Sequence, residues 1–398
     1  MRINVRVLIV EICYLILIIE SFFAIRFFQV ADEIIAILSL GYIVLNIGKK
    51  KDKILMNLLV FCSAVLIVGI LGNMVFQKRE DIFVICQDIF IFFKPFLVFY
   101  AIYLLLKNQQ ITDRVILRLN RIITLLVFAL LLGLLVGLFF NTQLAHYDIW
   151  ANFTFLKTYI FFTGYPSVLA GFIVPIVSLL YYVERKIDYR IIILLICAFF
   201  TQSGIGFLSI FLLYGLNLIF CFTKKIKWYH AVIIIIGIAL VGITEVRNYL
   251  LSSSATRAIM LKSSFQLMTS YFPLGVGFSN YGGSVAAKNY STVYTDLGFN
   301  TIWGLGGGGV TGDILDSYFP MIVGQFGIVG LVSVIILVYG VYKTFNREND
   351  IILKMSAAYL LIMTLAICFG QGGFSSALGE IIVITFAIFL KKCNCSKL

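Results

Sequence analysis

Residues 119–140 read LNRIITLLVFALLLGLLVGLFF. From Ile122 to Phe140 the run carries no charge. The hydrocarbon of a bilayer is roughly 30 Å thick and takes about 20 such residues to cross as a helix. The stretch therefore predicts a membrane span, and the chain around it has the same character. Of 398 residues, 61% are hydrophobic and 13% charged, against roughly 25% charged in a soluble domain. Water cannot solvate so apolar a surface. The bilayer is then the solvent, and every backbone polar group must be satisfied inside helices. The fold class that follows is an all-α integral membrane protein.

The same criterion applied outward from this stretch gives twelve candidate spans. They lie at roughly 7–25, 32–48, 54–75, 82–106, 119–140, 164–183, 191–203, 205–222, 229–246, 318–342, 353–371 and 376–390. The pair 191–203 and 205–222 is too long for one straight span and short for two. Thr201-Gln202-Ser203-Gly204 interrupts it and predicts a hairpin of two short helices. The first run follows Arg2 and Arg6, contains Glu11 and Glu20, and lacks a small-residue cleavage site. It reads as a retained span rather than a cleavable signal.

The formal charge is +12, and its distribution matters more than its size. With the N-terminus inside, 22 Lys and Arg fall in inner connections, eight in outer ones, and Lys94 within a span. That bias predicts both termini in the cytoplasm. The basic balance belongs to topology and implies no nucleic-acid partner. No cysteine lies in a polar outer loop, so no disulfide is expected. The two histidines, His146 and His230, fit no metal spacing, and neither metal nor cofactor is expected.

One outer connection is large. Residues 247–317 are expected to form an outward-facing loop subdomain with short helices on an otherwise single polytopic domain, 1–398. The loop carries Tyr271, Phe272, Phe278, Tyr281, Tyr290, Tyr294, Phe299 and Trp303, enough aromatic surface to fold against the membrane part. A helix is predicted from about Thr256 to Tyr271, with Leu261, Phe265, Met268 and Phe272 on one face. Such a helix suits the interfacial plane of the bilayer.

Four groups of residues are candidates for chemistry. Arg247, Arg257, Lys262 and Lys288 are cations where outer loops are usually poor in them, and the Arg fork matches phosphate oxygens bidentately. The plainer alternative is loop solvation or headgroup contact. Lys94, followed by Pro95, puts an ammonium deep in the fourth span, where an ionisable residue is a functional candidate. Asp88, about a turn and a half earlier, and Asp81 are its nearest acids in sequence. The alternatives are an ion pair inside the bundle or a proton relay. Asp148, Asp296, Asp313, Asp316 and Glu245 are outer acids, and transfer of a group to a hydroxyl is helped by a general base. Asp313 and Asp316 directly precede the tenth span, so helix capping is the competing explanation. Gly304-Leu305-Gly306-Gly307-Gly308-Gly309 offers backbone N–H groups to an anion, or simply makes a turn. No Lys-Ser/Thr follows it, which excludes a nucleotide P-loop.

Four segments between Lys157 and Gly330 carry a resemblance: Phe162-Thr163-Gly164-Tyr165-Pro166-Ser167; Phe200-Thr201-Gln202-Ser203-Gly204; Arg257 followed by Phe272-Pro273-Leu274-Gly275-Val276-Gly277; and Asp316-Ser317-Tyr318 with Gln325-Phe326-Gly327-Ile328-Val329-Gly330. Their order and spacing resemble the O-antigen polymerase and ligase superfamily, the Wzy-like membrane glycosyltransferases. The resemblance implies metal-independent polymerisation of undecaprenyl-diphosphate-linked oligosaccharides at the periplasmic face. It places Arg257, Asp316 and Asp313 in catalysis. It implies a bacterial inner membrane and places Arg247, Lys262, Lys288, Ser203, Tyr165 and Tyr318 at the substrate, to which the depth of Lys94 in its span adds that residue. It also implies a chain-length regulator and a flippase as partners. The chain departs from the family where Gly204, not Arg, follows Ser203. Ligases show a His-Asn pair where this chain has Asp316-Ser317, which favours polymerase over ligase. A lipid-linked oligosaccharide flippase or similar transporter is the alternative of a different class.

Overall fold

A computed structural model describes residues 4–22, 30–46, 52–79, 81–140, 142–146, 155–223, 255–316 and 318–395. Helices dominate: α1 (Val5–Phe22), α2 (Ala31–Val44), α3 (Lys53–Phe76), α4 (Ile82–Leu105), α5 (Gln109–Phe139), α6 (Pro166–Glu184), α7 (Tyr189–Phe200) and α8 (Gly204–Thr223). A two-residue antiparallel pair, β1 (Ala145–His146) with β2 (Thr158–Tyr159), lies between α5 and α6. Then come α9 (Thr256–Ser270), α10 (Gly283–Lys288), α11 (Thr292–Asp296), α12 (Tyr318–Asn346), α13 (Ile351–Gly370) and α14 (Ala377–Cys395). Six of them, α3, α4, α5, α6, α12 and α13, are long and apolar enough to cross a membrane, and α7 and α8 are shorter apolar helices. Eleven of the twelve predicted runs coincide with a helix. The twelfth, 229–246, lies outside the described residues.

Side chains fix several helix starts. Asp81 Oδ1 accepts the Phe83 amide at 2.9 Å and starts α4. Asn108 starts α5 through Ile111 N at 3.0 Å, and Asp188 starts α7 through Ile191 N at 3.1 Å. These satisfy N–H groups that a helix start leaves orphaned. The interruption at Thr201–Gly204 makes the expected hairpin. Thr201 Oγ1 donates to Ala198 O at 2.7 Å, and Ser203 Oγ accepts Gly206 N at 3.1 Å to start α8.

At the centre is α14, buried at every residue from Ala377 to Leu390. It packs against α1, α4, α5, α6, α12 and α13. A helix that is apolar nearly all round belongs in the middle of a bundle. On one flank α12 packs along α3 and α9. It is not one continuous helix: Gly327 breaks it at φ 56°, ψ −147°.

Residues 255–316 form a lobe with its own core, built from Tyr281, Tyr294, Phe299, Val293 and Ile314 together with Met260 and Leu267 of α9. The apolar stripe of α9 is not the face that packs on the protein. The residues turned inward are Met260, Ser263, Ser264 and Leu267. Phe265 remains 40% exposed and Phe272, just beyond the helix, 68%. The small serines allow α9 to approach α12, and the apolar stripe is left to face outward.

Candidate functional site at the lobe–bundle junction

The two glycine-rich segments that stood apart in the sequence meet in space. Val276 N donates to Gly324 O at 3.0 Å and Gly277 N to Gln325 O at 2.9 Å. The backbone of 275–277 thus runs alongside α12 where Gly327 interrupts it, and pairs with carbonyls there. Such pairing is what irregular backbone needs within a bundle. The fit excludes side chains: a Cβ on Gly275 would lie 2.5 Å from Gly327 N, and one on Gly327 2.5 Å from Pro273 O.

The next residues are held by polar side chains from α3 and α4. Asn73 clamps Phe278 from both sides of its peptide: Oδ1 accepts Phe278 N at 2.7 Å and Nδ2 donates to Phe278 O at 3.0 Å. Asp88, fully buried, accepts Ser279 N at 2.6 Å and Gln325 Nε2 at 3.1 Å. Gln325 Nε2 also donates to Tyr281 O at 2.9 Å. Above them Arg79 donates to Asn289 O at 2.8 Å and Ser279 O at 3.2 Å, and Lys78 pairs with Asp296 at 2.8 Å. The hydrogen bond from Lys78 to Asp296 holds the ammonium's pKa above its ordinary value. Burial pushes the phenols of Tyr281 and Tyr294 well above theirs, so both act as neutral donors and acceptors. Tyr294 does so by accepting Gly282 N at 2.7 Å. Around Asp88, the Ser279 hydroxyl, Gln325 Oε1 and the Tyr318 hydroxyl are buried with no hydrogen-bond partner among the described residues. They are polar groups of mixed donor and acceptor character.

Beneath this junction is an apolar groove of about 520 Å³. Tyr318, Phe319 and Phe374 close its lobe end, and α3, α4, α12, α13 and α14 make its walls. On α12 it is lined by Tyr318, Phe319 and Ile322 before the break and by residues from Val334 to Tyr342 beyond it.

The predicted site residues are dispersed. Arg257 lies in the first turn of α9, half-buried. Lys262 on α9 and Lys288 at the end of α10 are exposed. Asp313 packs against Gly304, and its amide donates to Gly304 O at 3.1 Å. Asp316 closes the short turn Gly312–Asp316, and Arg247 lies outside the described residues. Tyr165 is exposed at the start of α6, and Ser203 is spent on capping α8. Tyr318 is buried, stacked on Phe92 at 6.1 Å, and lines the groove. Lys94 is paired with Asp32 of α2, not with Asp88. Asp88 faces the lobe, whereas Lys94 faces α2, which packs along α4. The glycine run is a folded turn. The amides of Gly306, Gly307 and Gly309 donate to Val310 O, Ile302 O and Gly306 O, which leaves them no part in an anion cradle.

Sequence reasoning missed Asn73, Arg79 and Gln325. The available signal was three polar residues within or beside apolar runs. The chain matches no family model, no curated protein and no solved structure.

Proposed function

We propose that this chain is a polysaccharide polymerase of the bacterial inner membrane. It would cross the bilayer twelve times with both termini in the cytoplasm and the lobe in the periplasm. It joins lipid-diphosphate-linked oligosaccharide repeat units there. The observation that carries this reading is the groove: a long apolar channel, open to one side, that ends beneath a polar lobe. A substrate with a polyprenyl tail and a sugar-diphosphate head has that same division. The tail lies along α12, and the head emerges beside Tyr318 at the lobe.

In this mechanism Arg257, with Arg247 or Lys262, holds the diphosphate and stabilises the charge that develops as it leaves. Asp316 or Asp313 accepts the proton of the acceptor hydroxyl. The glycan passes from one lipid carrier to the next repeat unit, and the freed carrier keeps its diphosphate.

The test is the surface glycan of cells carrying variants, separated by length on a gel. Arg257→Ala is expected to leave single capped units and remove the ladder of longer chains. Ile335→Trp, which fills the groove from an exposed lining position, is expected to shorten the ladder without loss of protein from the membrane. A normal ladder in both variants would overturn the reading. Loss of every glycan-bearing species, capped units included, would favour the transporter alternative.

A further inference from the structure

A second polar centre lies away from the lobe junction, among α1, α2, α4 and α14. Its members are Glu20, Asp32, Glu33, Lys94 and Glu380. Asp32 and Lys94 are buried and paired. The Glu20 carboxylate accepts Asp32 N at 2.9 Å, which draws the end of α1 onto the start of α2. Glu380, in the first turn of the central helix, is 0% exposed, and neither of its carboxyl oxygens has a hydrogen-bond partner among the described residues. Its helix packs against α4, which carries Lys94, and against α1, which carries Glu20.

Charge balance makes this cluster incomplete. Lys94 is the single base facing four carboxyl groups among the described residues, and Asp32 already holds it. The other helices packed on α14 bring no remedy. α5, α6, α12 and α13 carry their charged residues near the opposite end of the bundle, where Lys392 meets Asp113 at 2.5 Å. That end is twelve residues along α14 from Glu380, roughly 18 Å. A buried carboxylate without a donor or a counter-charge is among the costliest groups a protein can hold. The missing charge is not that of a coordinated metal, because no three acidic, His or Cys side chains converge as a metal site among the described residues. Arg26, between α1 and α2, lies outside the described residues and is the competing source of charge.

We propose that Glu380 and Glu20, with the Asp32–Lys94 pair beside them, form an intramembrane proton-binding site in which Glu380 holds the proton. The site stands independently of the polymerase reading, and the proton is its ligand. Binding forms an O–H bond on a Glu380 oxygen and releases nothing else.

The test is infrared difference spectroscopy of the purified full-length protein in lipid nanodiscs, titrated from acid to alkaline buffer in H₂O and D₂O. The wild type is expected to show the C=O stretch of a protonated buried carboxyl, shifted in D₂O. Glu380→Gln, which mimics the neutral acid, should lose that band and keep the helical circular dichroism of the wild type. If that variant does not fold, Glu20→Gln, expected to move the band without removing it, decides. Absence of the band from the wild type overturns the proposal, as does its persistence in Glu380→Gln. A band found only in Arg26→Gln would assign the neutralising charge to Arg26. Loss of the wild-type band on adding sodium at fixed pH would assign the site to a cation.

Discussion

Asn73 shows how one side chain supports the candidate site. Its amide meets the backbone N–H and C=O of Phe278 at once, and Phe278 is fully buried between α3, α4 and α12. Asn73→Ala removes both bonds and strands the buried Phe278 N–H, worth about 1–3 kcal/mol when left unmade, while the Phe278 carbonyl keeps Asn280 Nδ2 at 3.2 Å. A loss of about 1–3 kcal/mol is expected, read as a lowered unfolding midpoint in detergent micelles. An unchanged midpoint would show that the clamp adds nothing. Asp88 offers a graded version of the same test. Asp88→Asn keeps one acceptor for Ser279 N and Gln325 Nε2, whereas Asp88→Ala keeps none. The alanine variant should therefore be the less stable of the two, and the reverse order would remove Asp88 from the junction's support. The presence of Asp88 and Lys94 inside an apolar run was plain in the sequence, but their partners were not. Local spacing pointed each toward the other. The real partners of Asp88 come from positions 191 and 237 residues away, and that of Lys94 from 62 residues away. Spacing along one helix carries no information about contacts of that separation.

At the scale of the element, hydrophobic run length located helices well, because a buried or lipid-facing helix must satisfy its own backbone whatever surrounds it. The α7–α8 hairpin was legible for a related reason: four polar or small residues interrupt the apolar pattern where the chain turns. The break in α12 was not legible. No proline or polar cluster marks Gln325-Phe326-Gly327, and the apolar pattern continues through it. Its cause is the lobe backbone at 275–277, which pairs with the carbonyls of Gly324 and Gln325. The α9 stripe was ambiguous in the same sense, since periodicity finds an apolar face and cannot say whether protein or lipid will meet it. Gly327→Ala tests the break. Its φ/ψ belongs to a region essentially reserved for glycine, and the new Cβ would lie 2.5 Å from Pro273 O. The variant is expected to displace 273–277 and destabilise the junction by at least about 2 kcal/mol. Hydrogen exchange would read this as loss of protection at the amides of Val276, Gly277, Phe278 and Ser279. Protection equal to the wild type would mean that α12 is broken for another reason.

For the whole molecule, the proposed chemistry requires the lobe and both chain ends to lie on opposite sides of the membrane. Composition alone suffices to place the chain in a bilayer, but it is silent on sidedness, and the charge bias speaks only through loops that each carry a few Lys or Arg. The structure adds an internal check. Lys392 near the end of α14 pairs with Asp113 near the start of α5, and Arg185 beyond α6 pairs with Asp350 before α13. These connections, all assigned to the inside by charge, are joined to one another. Lys78 and Arg79, assigned to the outside, are joined to the lobe. Two sets of contacts, neither used in counting charges, therefore sort the loops in the same way. A single-cysteine experiment turns that agreement into a measurement. In a background with the native cysteines replaced, Lys262→Cys and Lys288→Cys, both exposed on the lobe, should react with a membrane-impermeant maleimide in spheroplasts. Arg185→Cys, exposed beyond α6, should react only after the membrane is permeabilised. Equal labelling of all three in intact spheroplasts would break the sidedness. The reverse pattern would put the lobe in the cytoplasm, where a polymerase acting on exported repeat units has no substrate.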